Sequence, residues 1–305
     1  RQGRDYEIFD LGLEVYEAIS GKNKNKAKEF LTQILSQRAK YFAEHPRGVS
    51  PTAILGDCSL ISIARKIAST SEDSAQKKEV YYGISALANV CVGDIGDVIS
   101  IYEFILRKAA GQSFPIAPRI QSECFQDFCT RRIFDLNRRE SDLKNFALSF
   151  AEASHRLLVE SYQKIKSVDN KKERLRQYNK IYVRVTTGDT EAQFIRLRKL
   201  IDAGVFVLQG GSQTPRTRTR DSDPIQQFIL TYRKLFGLSN FIGLAERDRF
   251  ELSGKQLEKW LNNPTEGNKI LPRNIASDSD DEGVDEDETV EFEKPLEPVD
   301  KTIMD

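Results

Sequence analysis

The chain has 305 residues, of which 46 are basic, 46 are acidic and 39% are hydrophobic; its mean hydropathy is −0.50. This length and apolar share give room for two domains with cores of their own. No apolar run approaches the roughly 20 residues that a membrane-spanning helix needs, and no leader pattern of charged, apolar and small residues opens the chain.

The zero net charge conceals an asymmetry. After residue 273 stand 13 acids and two lysines, a net of −11, which leaves 44 bases and 33 acids in residues 1–273, a net of +11. A basic body suits an anionic partner, and the acidic tail can compete for the same surface. The four cysteines, Cys58, Cys91, Cys124 and Cys129, form no Cys-x-x-Cys pair, and His45 and His155 are the only histidines. That spacing argues against structural zinc. Buried reduced thiols are the better reading, and they fit a cytoplasmic compartment.

In chain order, residues 1–20 read as a strand and a helix belonging to something that starts earlier, since the chain opens at Arg1 rather than at Met. A polar break follows. Then Ala27, Phe30, Leu31, Ile34, Leu35, Ala39 and Phe42 recur at spacings of three and four, one face of an amphipathic helix. Leu60, Ile61, Ala64 and Ile67 mark a second helix, and Ile84, Leu87, Ala88 and Cys91 a third. Asp94 is placed to cap a fourth, which carries Val98, Ile99, Tyr102, Ile105 and Leu106. Residues 21–111 therefore read as a helical unit. Residues 112–179 read as a helical linker, with apolar positions at Phe125, Phe128, Leu143, Phe146, Phe150 and Leu157.

The period changes at Ile181, where Ile181, Val183 and Val185 alternate with Tyr182 and Arg184. Thr190-Glu191-Ala192-Gln193 has the form of a capping box, opening a helix through Phe194, Leu197, Leu200 and Ile201 that Gly204 stops. Residues 205–208 read as a strand, Gly210-Gly211-Ser212 as its turn, and Arg216 to Arg220 as the returning strand. Asp223-Pro224 reads as the start of a last helix through Phe228, Ile229, Tyr232, Leu235 and Phe236. From about residue 263 the acid-rich composition predicts a disordered tail.

Three features could carry chemistry. The first is Gly93-Asp94-Ile95-Gly96-Asp97, which by its residues alone is a turn and a helix cap. The second is residues 181–220, a strand, capped helix, strand, turn and strand. On its helix Arg196 and Lys199 lie three apart, away from the apolar face. On its last strand Arg216, Arg218 and Arg220 project to one side, and guanidinium groups match phosphate oxygens bidentately. The plain alternative is a solvated charged face. The third is the aromatic and arginine-rich run from Asp223 to Ser253, read either as a docking surface or as a helix packed beneath the hairpin, with Arg247 and Arg249 paired to nearby acids. No Ser/His/Asp or Cys/His constellation is supported, and the tail lacks the alternation of a calcium loop.

The order of these elements resembles the C-terminal part of origin-recognition and cell-division-control (ORC-CDC) type AAA+ ATPases. A helix containing Ile34-Leu35-Ser36-Gln37-Arg38 comes first, then further helices, then Gly93-Asp94-Ile95 at a helix start. That family's lid carries a Gly-Asp-hydrophobic-Arg motif whose arginine reaches the nucleotide, and a winged helix follows the lid. Here Gly96 stands at the arginine position, so that contact is lacking. No phosphate-loop motif occurs: Gly21-Lys22-Asn23-Lys24 lacks the second glycine and the hydroxyl residue.

The resemblance implies a mostly α chain: 1–20 the end of a truncated AAA+ base domain, 21–111 a helical lid-like domain, 112–179 a helical linker, 180–262 a winged-helix-like α+β domain, and 263–305 a disordered acidic tail. It implies DNA as the partner through Arg196, Lys199, Arg216, Arg218 and Arg220, and a nucleotide-proximal Gly93, Asp94, Ile95 and Gly96. ATP and Mg²⁺ would bind only with an upstream core, through which the chain could also self-associate. No catalytic or metal residue is assigned within the chain. The alternative is a protein-interaction scaffold in an ATP-driven switch assembly, such as a defence or signalling complex.

Overall fold

The computed structural model describes residues 24–39, 48–69, 79–91, 94–139, 141–167, 174–185, 191–209, 226–245 and 248–273. The chain is mostly helical with one small sheet. Among the described residues five helices come first: α1 (Lys24–Ala39), α2 (Pro51–Leu55), α3 (Leu60–Ser69), α4 (Ile84–Val90) and α5 (Ile95–Lys108). The predicted apolar stripe of α1 buries Leu31 and Leu35, and that of α5 buries Val98, Tyr102, Ile105 and Leu106, with Ile99 half-buried and Ile101, outside the predicted set, buried as well. Two long helices follow, α6 (Pro118–Arg139) and α7 (Ser141–Ser167).

Residues 112–179 do more than connect. Gln121 on α6 is fully buried, and its amide is well used. Its Nε2 donates to Leu55 O at 2.9 Å and Ile116 O at 2.7 Å, while its Oε1 accepts from Gly83 N at 2.9 Å. One side chain thus satisfies three backbone groups that regular structure leaves unpaired. Tyr81 spans further: its hydroxyl donates to Ile242 O at 2.9 Å, joining the first helices to the C-terminal region.

The sheet holds β1 (Tyr178–Val185), β2 (Phe206–Gln209), β3 (Gln226–Tyr232) and β4 (Asp248–Ser253) in the order β2-β3-β1-β4. The β2/β3 and β1/β3 pairs are antiparallel, and β4 runs parallel to β1. Helix α8 (Glu191–Asp202) joins β1 to β2, and α9 (Gly254–Asn262) follows β4 directly. The inner face of the sheet lies on α7. Phe150 stacks on Tyr232 at 4.5 Å and meets Phe206, Phe250 and Trp260 at 5.4, 5.6 and 6.4 Å.

Two predicted elements differ. Residues 226–232, read as part of a helix after Pro224, form β3. Phe228-Ile229-Leu230-Thr231-Tyr232 fits both periods in so short a run. Pairing on both sides decides it, because only a strand buries Leu230 and Tyr232 in the core while bonding to β1 and β2. Leu235 and Phe236 fall in a 3-10 segment, Lys234–Asn240. The run around Arg249, read as a docking surface or a packed helix, is likewise a strand, β4. The expected Arg249 pairing with an acid is present, since its Nη2 lies 3.3 Å from Glu251 Oε1.

The tail boundary also moves. Beyond residue 263 the chain makes a 3-10 turn (Pro264–Glu266), helix α10 (Gly267–Ile270) and a last 3-10 turn (Leu271–Arg273). Ile270 and Leu271 are buried, and Gly267 lets the backbone lie against Trp260 and Ser149, where a β-carbon would come within 2.4 Å of Trp260 Nε1. Residues 1–20 and 274–305 lie outside the described residues. Among those described, no helix is long and apolar enough to cross a membrane.

Two tests follow from this packing. Gly83 has φ +87, and a β-carbon there would stand 2.9 Å from Cys58 N, so Gly83→Ala should cost about 1–3 kcal/mol in denaturant unfolding. All four cysteines are buried and unpaired. Burial pushes the Cys91 and Cys129 thiols up, and that of Cys124 to about 11. A colorimetric thiol reagent should therefore titrate four groups in guanidinium and essentially none in the native protein; fast native labelling of any of them would contradict this packing.

Candidate functional site

The Gly-Asp segment is the first candidate. Helix α5 opens at Ile95 because Asp94 caps it: Asp94 Oδ1 accepts from Asp97 N at 3.0 Å. Asp94 N donates to Cys91 O, also at 3.0 Å, which closes the turn after α4. The other carboxylate oxygen is also engaged. Arg233 Nη1 donates to Asp94 Oδ2 at 3.0 Å, across 139 positions of chain.

Local sequence explains how Arg233 arrives there. It follows β3, and its backbone N donates to Val205 O at 3.0 Å, at the start of β2. Gly204 ends α8 with φ +75, and a β-carbon on it would lie 3.1 Å from Arg233 Nη1. Glycine is favoured there by the left-handed turn, and a β-carbon would in addition press on the guanidinium beside it. The end of α8, the end of β3 and the cap of α5 meet at this point.

A second ion pair lies one turn further along α5. Arg132 of α6 donates to Asp97 Oδ1, and Asp97 is 4% exposed. Burial raises the Asp97 carboxyl above its usual range, and the Arg132 hydrogen bond opposes that shift. Burial, then the Asp97 and Asp94 carboxylates, raise the neighbouring Cys91 thiol, so it is neither a nucleophile nor a ready metal ligand. Arg233 Nε is buried and has no hydrogen-bond partner among the described residues, so among these the Asp94 carboxylate is the main compensation for this partly buried charge.

Of the residues read as nucleotide-proximal, Gly93 lies outside the described residues. Ile95 and Gly96 form the first turn of α5, with Gly96 exposed. Both Asp94 oxygens serve the fold, and Gly96 has no side chain to offer, so no step through ATP follows from these residues. Among the described residues, no group of three or more His, Cys, Asp or Glu could hold a metal ion.

The second candidate is the basic helix and hairpin. Helix α8 begins one residue after Thr190 and buries Leu197 and Leu200, with Lys199 exposed. Arg198 is exposed as well and pairs with Asp202 at 3.6 Å. The side chain of Arg196, and Arg216, Arg218 and Arg220 altogether, lie outside what is described. The strand that pairs back onto β2 is β3, in the register Phe206↔Tyr232 to Gln209↔Ile229. The three arginines thus belong to the connection 210–225 between two paired strands. Ile195 and Leu208 are large apolar residues left exposed on α8 and β2.

Sequence reasoning misses Arg233 as the partner of Asp94. The available signal is weak: one arginine directly after an apolar run, with a glycine far upstream. It also misses the outer face of β1 and β4, because a helical reading of residues 248–253 never brings the two strands together.

The ion pair and the cap separate by mutation. Asp94→Asn keeps an acceptor for the cap and loses the charge, so it should cost about 1–3 kcal/mol through the stranded Arg233. Asp94→Ala should add a further ~1 kcal/mol for the lost cap. A double-mutant cycle with Arg233→Met in urea measures the coupling, and additive effects would contradict the contact. No protein-family model matches this chain, and no curated protein or solved structure matches it.

Proposed function

We propose that this chain is the C-terminal portion of an initiator-type AAA+ ATPase of the ORC-CDC kind. In this reading it binds DNA through a basic winged-helix-like domain, under the control of a nucleotide held by an upstream core. The observation that carries the reading is the order of α8 and the strands. Helix α8 precedes the antiparallel β2/β3 pair, β1 lies beside β3, and the connection 210–225 carries Arg216, Arg218 and Arg220. A helix followed by a basic hairpin is the arrangement with which a winged helix meets a duplex: the helix faces the groove and the hairpin follows the phosphates. The fourth strand, parallel to β1, is an addition to that plan. The +11 charge of residues 1–273 supplies the long-range attraction. In this reading any ATP hydrolysis would belong to the upstream core, since the sequence holds no phosphate-loop motif.

A protein-interaction scaffold within an ATP-driven switch assembly is the second reading, and the Asp94–Arg233 contact favours it. A lid that answers to nucleotide must move, whereas here its motif is tied by a 3.0 Å ion pair to the end of β3. In that case the helical and sheet regions travel together, and the apolar Ile195 and Leu208 offer protein contact.

Duplex binding across a salt series separates the readings. The full chain should bind a short duplex with an affinity that falls steeply with salt, because phosphate contacts release counterions. Reversing Arg216, Arg218 and Arg220 to Glu should weaken binding at least tenfold and flatten the slope by roughly one for each phosphate no longer neutralised. The same reversal at Lys77 and Lys78 should do much less. Equal effects, or an affinity indifferent to salt, would move the assignment to the scaffold.

A further inference from the structure

The sheet has a second face, and its chemistry differs from that of the hairpin. The register places Lys180, Tyr182 and Arg184 of β1 on the side away from Ile181 and Val183, which are buried. Tyr182 stands beside Glu251 of β4 and Ile229 of β3. Arg249 of β4, paired with Lys180, brings a guanidinium to the same ring. The Arg184 and Arg249 guanidinium carbons lie 5.5 and 5.2 Å from the Tyr182 ring centroid. Glu251 braces both arginines, at 3.8 Å from Arg184 and 3.3 Å from Arg249. Two guanidinium groups and one carboxylate thus stand around one aromatic ring, with Lys180 on the same face of β1. The Arg184 side chain is 57% exposed, and the Phe150 cluster occupies the opposite face.

The contacts of Arg184 with Glu251 and of Arg249 with Tyr182 also tie β1 to β4. Strand pairing and the inner-face core already hold the sheet, and an outer face needs only polar side chains. An aromatic ring with guanidinium groups beside it and cations along the strand suits a ligand that alternates flat rings with negative charges. Bases stack on tyrosine and on arginine planes alike, and the cations take the phosphates on either side. A duplex keeps its bases inside and cannot use the ring, whereas a single strand can.

We infer that the outer face of β1 and β4, centred on Tyr182, binds single-stranded nucleic acid through base stacking on Tyr182 and phosphate contacts from Lys180, Arg184 and Arg249. This site is separate from the 210–225 connection, so it stands or falls apart from the duplex reading.

The test is fluorescence anisotropy of the full chain with a labelled 12-nucleotide oligothymidine, in parallel with a duplex of equal length. Tyr182→Leu should weaken single-strand binding about tenfold, and Tyr182→Phe, which keeps the ring, should stay within about twofold of wild type. Arg184→Glu should weaken it and reduce the salt slope. Circular dichroism melts of each variant confirm that the sheet is intact. Single-strand binding that is absent, or equal for Tyr182→Leu and Tyr182→Phe, overturns the inference. So does a change of oligomeric state in Tyr182→Leu by sedimentation, which would make the face a contact between copies. Loss of duplex binding in the Arg216/Arg218/Arg220 reversal with single-strand binding kept would show two independent sites.

Discussion

The sheet and the helices beside it are packed around one ring. Phe150 projects from the middle of α7 into a cage made by Tyr232, Phe206, Phe250 and Trp260. Those four come from β3, β2, β4 and α9, all far along the chain from α7. Rings meeting edge to face or offset gain from their quadrupoles as well as from lost water contact, and a buried phenylalanine is worth about 3–5 kcal/mol against its removal. That is a large part of the roughly 5–15 kcal/mol that holds a typical domain together. The polar ends of the cage are satisfied too. Tyr232 donates to Ala147 O at 2.8 Å, and Trp260 Nε1 donates to Ser149 Oγ at 3.2 Å. With Tyr232 pinned, the next residue, Arg233, is committed to the other side of the strand end, and the contact with Asp94 follows.

The Asp94 contact changes what the Gly-Asp segment means. In isolation the segment is a turn and a cap, and the cap is present. Its second oxygen is spent on Arg233, and the residue after Ile95 is a glycine. Asp94 therefore ties the start of α5 both to its own first turn and to the end of β3. The two ion pairs on the first turn of α5 act together, Asp94 with Arg233 and Asp97 with Arg132, so the helix start is fastened both to the sheet and to α6.

Legibility from sequence follows the strength of local signals. The helices of the first region are readable because their apolar residues repeat at three and four over several turns, and Asp94 is readable as a cap because its role depends on neighbours within three positions. Strands β1 and β2 are readable because Ile181-Tyr182-Val183-Arg184 alternates and Gly204 marks the preceding stop. Strand β3 is not, since Phe228 to Tyr232 is too short to separate the two periods and its pairing partners are remote. Strand β4 fails for the same reason. The buried Gln121 and the reach of Arg233 are invisible, because a glutamine among polar residues carries no mark that it will satisfy three distant backbone groups. The site reading suffers in proportion: the basic residues can be named one by one, but the outer face that assembles Tyr182, Arg184 and Arg249 exists only once β4 lies beside β1.

That parallel pairing has a consequence for how the protein comes into being. Strand β1 is completed at Val185, yet one of its two neighbours is the strand Asp248–Ser253. Asp248 also receives the backbone hydrogen of Gln177, just before β1, at 2.6 Å. On a ribosome the sheet therefore waits, with one edge of β1 bare, until residue 253 has left the exit tunnel, and Trp260 arrives later still to close the aromatic cage. Pairings this distant are slow to form, and an open strand edge is sticky while it waits. The first helices are synthesised earlier, but Tyr81 and Asp94 meet Ile242 and Arg233 only when the C-terminal region arrives, so the whole is complete only when nearly all of the described chain is present.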